Sequence, residues 1–171
     1  MDRNEKVLEF ISQNGDELVR PIFFTIHNDI LSNSDYIWNI LKSTQLFQDK
    51  DQAILVLLFT FISIRTEIEM QLIYTEYGEA AYRKLGETVS SYYNSFLANF
   101  VDDAEDTALL LMHNAHETLL DHEGEARDML LAVQFKKIAA TTEAFSPSIF
   151  QPFVALLSEG GSIVEVIEKN M

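Results

Sequence analysis

Three of the four histidines lie within ten residues of one another, at positions 113, 116 and 122. His113 and His116 are three residues apart and Glu117 follows four residues after His113, so a helix would place these side chains on one side. Imidazole and carboxylate groups in this arrangement are ligands for zinc, iron and other first-row metals. The sequence therefore offers one candidate ligand set for a divalent transition metal, with His27 as the only distant histidine that could join it.

A second interpretation of the histidines is purely structural. Their spacing matches neither His-Glu-x-x-His nor the Glu-x-x-His of di-iron bundles. On a helical wheel they share a stripe with apolar residues, which we interpret as facing the core, where a histidine is typically neutral, half-buried and hydrogen-bonded. The stripe consists of Leu109, Met112, His113, His116 and Leu120. A third interpretation is a response to pH, since histidine changes its charge near physiological pH.

Acidic residues concentrate in the thirty residues from Asn99 to Asp128. This segment holds nine carboxylates against Arg127 alone, a local net charge of -8 (nine acids, one base) out of -15 for the chain. A negative face attracts a positively charged partner and speeds its association. The predicted partner-binding residues are Asp102, Asp103, Glu105, Asp106, Glu117, Asp121, Glu123, Glu125 and Asp128.

The acidic segment also has less specific interpretations, namely a solvated helix face with acids at helix starts, or adaptation to high salt. The spacing of its charges matches that of a nucleic acid only in part. Duplex DNA carries one charge per ~1.7 Å, whereas nine acids along thirty helical residues give about one per 5 Å. Folding back at Gly124 would raise this density by bringing two acidic rows together. We expect a generic docking surface that occludes a basic protein surface, as inhibitors and immunity proteins do.

The sequence lacks the motifs of several enzyme and cofactor-binding classes. There is no cysteine, hence no disulfide framework, thiol nucleophile or cysteine-based metal site. Neither the Gly-x-x-x-x-Gly-Lys phosphate loop nor Gly-x-Gly-x-x-Gly occurs, and Ser162 lacks the Gly-x-Ser-x-Gly elbow. We therefore predict a non-enzymatic protein without a cofactor. A metal- or small-ligand-binding bundle centred on His113, His116 and Glu117 is the alternative function, and a helical homo-oligomer is the third hypothesis.

Composition places the chain among globular proteins, with 47% hydrophobic and 23% charged residues. The net charge of -15 opposes binding to phosphate backbones and to anionic lipid. The most apolar run, Ala53 to Ile64, is twelve residues long, whereas a membrane span needs about 20. The first residues lack a basic segment followed by a long apolar one, so we expect a cytoplasmic protein.

The apolar residues recur at helical spacing and nowhere alternate as strands do, which predicts an all-α, single-domain multi-helix bundle over residues 1–171. The apolar run lies within a predicted central helix, about residues 51–77, that other helices surround. A short helix is expected to end at Asn14–Gly15, with Pro21 early in the next one or at a kink. Further helices are expected over about Glu79–Phe100, from Asp102–Asp103 to Asp121, over about Glu125–Ala144, after Ser146–Pro147, and after Ser162.

Overall fold

The architecture is that of an all-α bundle, described by a computed structural model over residues 1–142 and 146–171. This part of the chain contains no β-strand. The α-helices are α1 (Arg3–Ser32), α2 (Ser34–Leu41), α3 (Lys50–Tyr77), α4 (Glu79–Leu97), α5 (Ala104–Asp121), α6 (Arg127–Ala139) and α7 (Ile163–Asn170). Two 3-10 helices, Lys42–Thr44 and Pro147–Leu157, complete the described elements.

Helix α3 is the core of the bundle. It begins where the Asp49 carboxylate accepts a hydrogen bond from the backbone N–H of Gln52, which satisfies one free amide of the first turn. It ends at Gly78, whose φ of 88° suits a residue without a side chain. Every residue from 57 to 67 is buried, because all the other α-helices and the Pro147–Leu157 segment contact the central helix, with α1, α4, α5 and α6 contacting it most extensively. The predicted buried central helix is confirmed.

Helix α1 is one unbroken element, so the prediction that a helix ends at Gly15 is wrong. Gly15 lies where α1 packs closely on α4: a Cβ atom at this position would lie 2.7 Å from Oγ1 of Thr88. The glycine thus permits a close approach of two helices rather than ending one. Pro21 also lies inside α1, and packing of the surrounding turns against α3 and α4 maintains the helix there.

The remaining boundaries differ from expectation mainly after α5. Helix α6 ends at Ala139, where Ala140 adopts a left-handed conformation with φ of 53°, so it is shorter than the predicted helix to Ala144. That prediction extends into residues 143–145, which lie outside the described residues. The segment that begins at Pro147 is a 3-10 helix rather than an α-helix. Ser162 caps α7 as expected, accepting a hydrogen bond from the N–H of Glu165.

Candidate interaction surface

Helix α5 packs into the bundle through one leucine and three smaller residues. Its buried positions are Ala108, Leu111, Ala115 and Thr118, which recur at intervals of three and four residues and contact α3, α4 and α6. The opposite side of the helix faces solvent. We call this side the α5 outer face; its members are Glu105, Asp106, Leu109, Leu110, His113, Glu117, Leu120 and Asp121, all of them exposed.

The prediction that the stripe from Leu109 to Leu120 faces the core is therefore wrong for Leu109, His113 and Leu120, whereas Met112 and His116 are half-buried. Leu109 and Leu120 are 62% and 59% exposed, and the side chain of His113 is 66% exposed. The physical reason is the close packing of α5 on its neighbours: beside Leu111, the buried positions are occupied by alanine and threonine, and Leu109 and Leu120 lie outside. Leu110, 59% exposed, adds a third solvent-facing leucine to the same helix.

The nine predicted partner-binding acids fall into two groups at opposite ends of α5. Eight of them are exposed, and Asp128 is half-buried. Helix α5 has 18 residues, so its ends lie about 27 Å apart. The first group, around the N-terminus of α5, is Asp102, Asp103, Glu105 and Asp106. The second group, around its C-terminus and the turn into α6, is Glu117, Asp121, Glu123, Glu125 and Asp128.

None of the Lys or Arg ion pairs within residues 1–142 and 146–171 involves one of these nine carboxylates. Two of the acids lie beside histidines: Glu117 Oε1 is 3.1 Å from His113 Nε2, and Glu125 Oε1 is 3.5 Å from His122 Nδ1. Asp128 accepts a hydrogen bond from Gln151. The negative charge of α5 is therefore left largely uncompensated by cationic side chains.

The two acidic rows that folding back at Gly124 would create do not form. Helix α6 contacts α5, but Asp128 is the one acid of α6, so this helix carries no acidic row. Lys137 Nζ donates hydrogen bonds to Thr118 Oγ1, at 2.9 Å, and to the backbone carbonyl of Asn114. The acids consequently lie around the two ends of α5, with Leu109 and Leu110 between the two groups and Leu120 within the second group.

The histidine cluster is divided between two environments. His116 Nδ1 lies 2.7 Å from Oε1 of Glu67, a buried carboxylate of α3, and this same oxygen accepts a hydrogen bond from Gln71. His113 lies instead on the α5 outer face beside Glu117. Within the described parts of the chain, no three His, Asp or Glu side chains are placed to hold a metal ion.

His27, the distant histidine, lies on α1 and contacts the rings of Phe96 and Phe100 edge-on, with centroids 5.6 and 6.2 Å away. It lines two shallow cavities, of about 260 and 360 Å³, beside α1. Both cavities are lined mainly by apolar side chains. His27 is thus not part of the histidine cluster of α5.

Sequence reasoning missed a buried ionic group in the second half of α3. The spacing of Arg65 and Glu69 is that of an i,i+4 ion pair, but it does not show that both side chains are buried and hold the end of the chain in place. Arg65 donates hydrogen bonds to the carbonyls of Leu156, Glu159 and Gly161, and Glu69 Oε2 accepts one from the N–H of Ile163. The only sequence signal was the position of these charges directly after an apolar run.

Burial controls the protonation of this ion pair. It raises the pKa of Glu69, against the opposing effects of the Ile163 N–H and the Arg65 guanidinium. Burial also lowers the pKa of Arg65, with Glu69 opposing that shift. Each charge therefore depends on the other and on backbone partners, which is the arrangement of a structural group.

A second buried polar chain links α3 to α5 and α6. Gln134 donates a hydrogen bond from Nε2 to Ser63 Oγ and accepts one at Oε1 from Thr118. Thr118 in turn accepts the hydrogen bond from Lys137. This chain fixes the rotation of α5 about its axis, and thereby determines which of its residues face solvent.

Comparisons with protein-family models, with curated proteins and with solved structures found no match for this chain. Within the described residues, none of the helices combines the length and the apolar content that a membrane crossing requires.

Proposed function

We propose that this protein is a non-enzymatic interaction protein that binds a basic surface of another protein through the α5 outer face and the acids at its two ends. The observation that carries this proposal is the absence of Lys and Arg from α5, which holds four exposed carboxylates. Attraction of this kind speeds association and selects partners by charge. Binding would occlude the partner's basic surface, as in an inhibitor or immunity protein.

The spacing of the acids favours a protein partner over imitation of a nucleic acid. Asp106 and Glu117 are 11 positions apart, or about 16 Å along the helix, and none of the residues between them is a carboxylate. Duplex DNA would present about nine charges over that length. Exposed leucines lie in this gap instead, and an apolar centre with a polar rim is typical of protein–protein interfaces.

The experiment is affinity capture from the native cell at low and at high salt, followed by identification of the bound proteins. The test variant reverses four acids to lysine: Asp102→Lys, Asp103→Lys, Asp121→Lys and Glu125→Lys. The control variant makes the same change of net charge at exposed acids away from α5: Glu9→Lys, Glu17→Lys, Glu76→Lys and Glu87→Lys. Circular dichroism verifies that both variants keep the helical fold.

We expect a partner with a basic surface that is retained at low salt, released at high salt, bound by the control variant and lost by the test variant. A partner with a neutral surface, binding that ignores salt, or equal loss in both variants would contradict the proposal.

A further inference from the structure

Helix α5 carries two lines of residues with the spacing of packed helices, and only one is used inside the bundle. The inner line is Ala108, Leu111, Ala115 and Thr118. The outer line is Leu109, His113, His116 and Leu120, at intervals of four, three and four residues, which is the repeat by which two helices pack side by side. We call this outer line the α5 seam.

Most of the α5 seam faces away from the described part of the bundle, and His116 is its one member that bonds to α3. Leu109 and Leu120 are more than half exposed, and so is His113. The side chain of His116 is 42% exposed although Glu67 holds one of its ring nitrogens. The two leucines are 11 residues apart, about 16 Å along the axis, which is the length of three helical turns. Three turns suffice for a helix lying along α5 to contact both leucines.

Charge decides which helix fits the α5 seam. Asp106 and Glu117 flank one side of it, Glu105 lies near its start, and Asp121 adjoins its end; α5 has neither Lys nor Arg. A second copy of the chain would bring these carboxylates against their own kind, and like charges across an interface are repelled. A helix that flanks an apolar line with Lys or Arg would pair with them instead.

We infer that the α5 seam is the docking site of an amphipathic, basic helix of a partner protein, with Leu109 and Leu120 as its apolar anchors. This inference rests on the proposed function and names the element that the basic partner contributes. Docking of this type is recognised by anchors at i, i+4, i+7 and i+11 on each helix. The interface is small, so we expect reversible rather than permanent binding.

The test uses two fluorescein-labelled 18-residue peptides of the same leucine and lysine composition. In the first, leucines recur at three and four residues, so that a helix has one apolar and one basic face. In the second, the same residues are ordered so that no apolar face forms. Fluorescence anisotropy measures the binding of each peptide to the full chain at low and at moderate salt.

The test variant is Leu109→Ser/Leu120→Ser, and its matched control is Leu31→Ser/Leu72→Ser, which changes leucines of 48% and 42% exposure on other helices. We expect the first peptide to bind more tightly than the second. The test variant should weaken its binding by at least about ten-fold, since each leucine anchor contributes at least that much when buried. The control variant should bind the first peptide as tightly as the unmodified protein does.

Equal binding of both peptides, unaffected by Leu109→Ser/Leu120→Ser, would overturn the inference while leaving charge-based binding of a basic partner intact. Absence of binding by either peptide would also overturn it, and the capture experiment then decides the proposed function separately. Light scattering measures the oligomeric state and so tests whether a second copy of the chain occupies the seam. A dimer that Leu109→Ser/Leu120→Ser dissociates would show that a second copy of the chain covers the seam.

Discussion

The Nε atom of Arg65 lies 3.1 Å from Oε1 of Glu69, one turn further along α3, and both side chains are buried. This pair connects the central helix to the segment between the last 3-10 helix and α7 through backbone carbonyls and an N–H group. Removal of one member leaves the other charged, buried and without its partner. Such a change is far more costly than the loss of an exposed ion pair.

Arg65→Met should lower the free energy of unfolding by about 3–5 kcal/mol, because Glu69 and three backbone carbonyls lose their partner. Urea denaturation measures the change. The control is Arg83→Met, which breaks the exposed pair with Glu79 and should cost less than about 1 kcal/mol. A loss below about 1 kcal/mol for Arg65→Met would show that the buried pair does not support the fold.

Gly15→Ala should destabilise the protein by about 1–3 kcal/mol, because its Cβ atom would lie 2.7 Å from Thr88 Oγ1. In a Thr88→Ala background the space is free, and the same change should stabilise by up to about 1 kcal/mol through higher helix propensity. Thermal and urea unfolding of the unmodified protein, the two single variants and the double variant give the effect of Gly15→Ala in each background. The same effect of Gly15→Ala in both backgrounds would contradict the close packing of α1 on α4.

Glu159→Gln should raise stability at pH 7 and have little effect near pH 4. A hydrogen bond with Asp29 raises the pKa of Glu159, with burial as the second cause. A carboxyl whose pKa is raised on folding stabilises the protein below its unfolded pKa, and this contribution is lost as pH rises through the folded pKa. Glutamine keeps a donor at every pH.

The expected gain at pH 7 is no more than about 0.5 kcal/mol, because Glu159 is exposed and solvent screens the pair. Urea denaturation at the two pH values measures it, with Glu123→Gln as the control. The sign of the stability change decides the matter, because the charges of Glu159 and Asp29 repel each other when both are ionised. A Glu159→Gln protein that is less stable at pH 7 than the unmodified one would refute this repulsion.

Addition of Zn²⁺ or Fe²⁺ should leave the melting temperature unchanged, because Glu67 and Glu117 already engage His116 and His113 separately. Differential scanning fluorimetry with and without a chelator measures this. A rise of several degrees that disappears in His113→Ala/His116→Ala would instead support the metal-binding alternative, with one divalent transition metal held by these histidines and Glu117.

The sequence was a reliable guide wherever local chemistry decides the structure. Asp49 and Gly78 mark the two ends of α3 because capping depends on the adjoining backbone. The prediction that a helix ends at Gly15 failed because the role of this glycine depends on Thr88. Thr88 is 73 positions away in the chain and approaches Gly15 only after folding. A glycine that ends a helix and one that lets two helices approach look the same in a sequence.

The incorrect prediction that matters for function concerned which side of α5 faces the core. Hydrophobicity alone favours burial of Leu109 and Leu120, whereas the buried residues of α5 are Ala108, Leu111, Ala115 and Thr118. Close packing selects by side-chain volume, and no periodicity of apolar residues shows the distance between two helix axes. Eight of the nine acids are exposed and Asp128 is half-buried, and their two groups at the ends of α5 follow from the absence of acids between Asp106 and Glu117.

The hydrogen bonds from Arg65 to the carbonyls of Leu156, Glu159 and Gly161 also make the last residues part of the central helix's own support. A chain truncated after α6 would keep Glu69 but lose all three of these carbonyl acceptors. The bundle therefore cannot be shortened from its C-terminal side without leaving donor groups of a buried guanidinium unsatisfied.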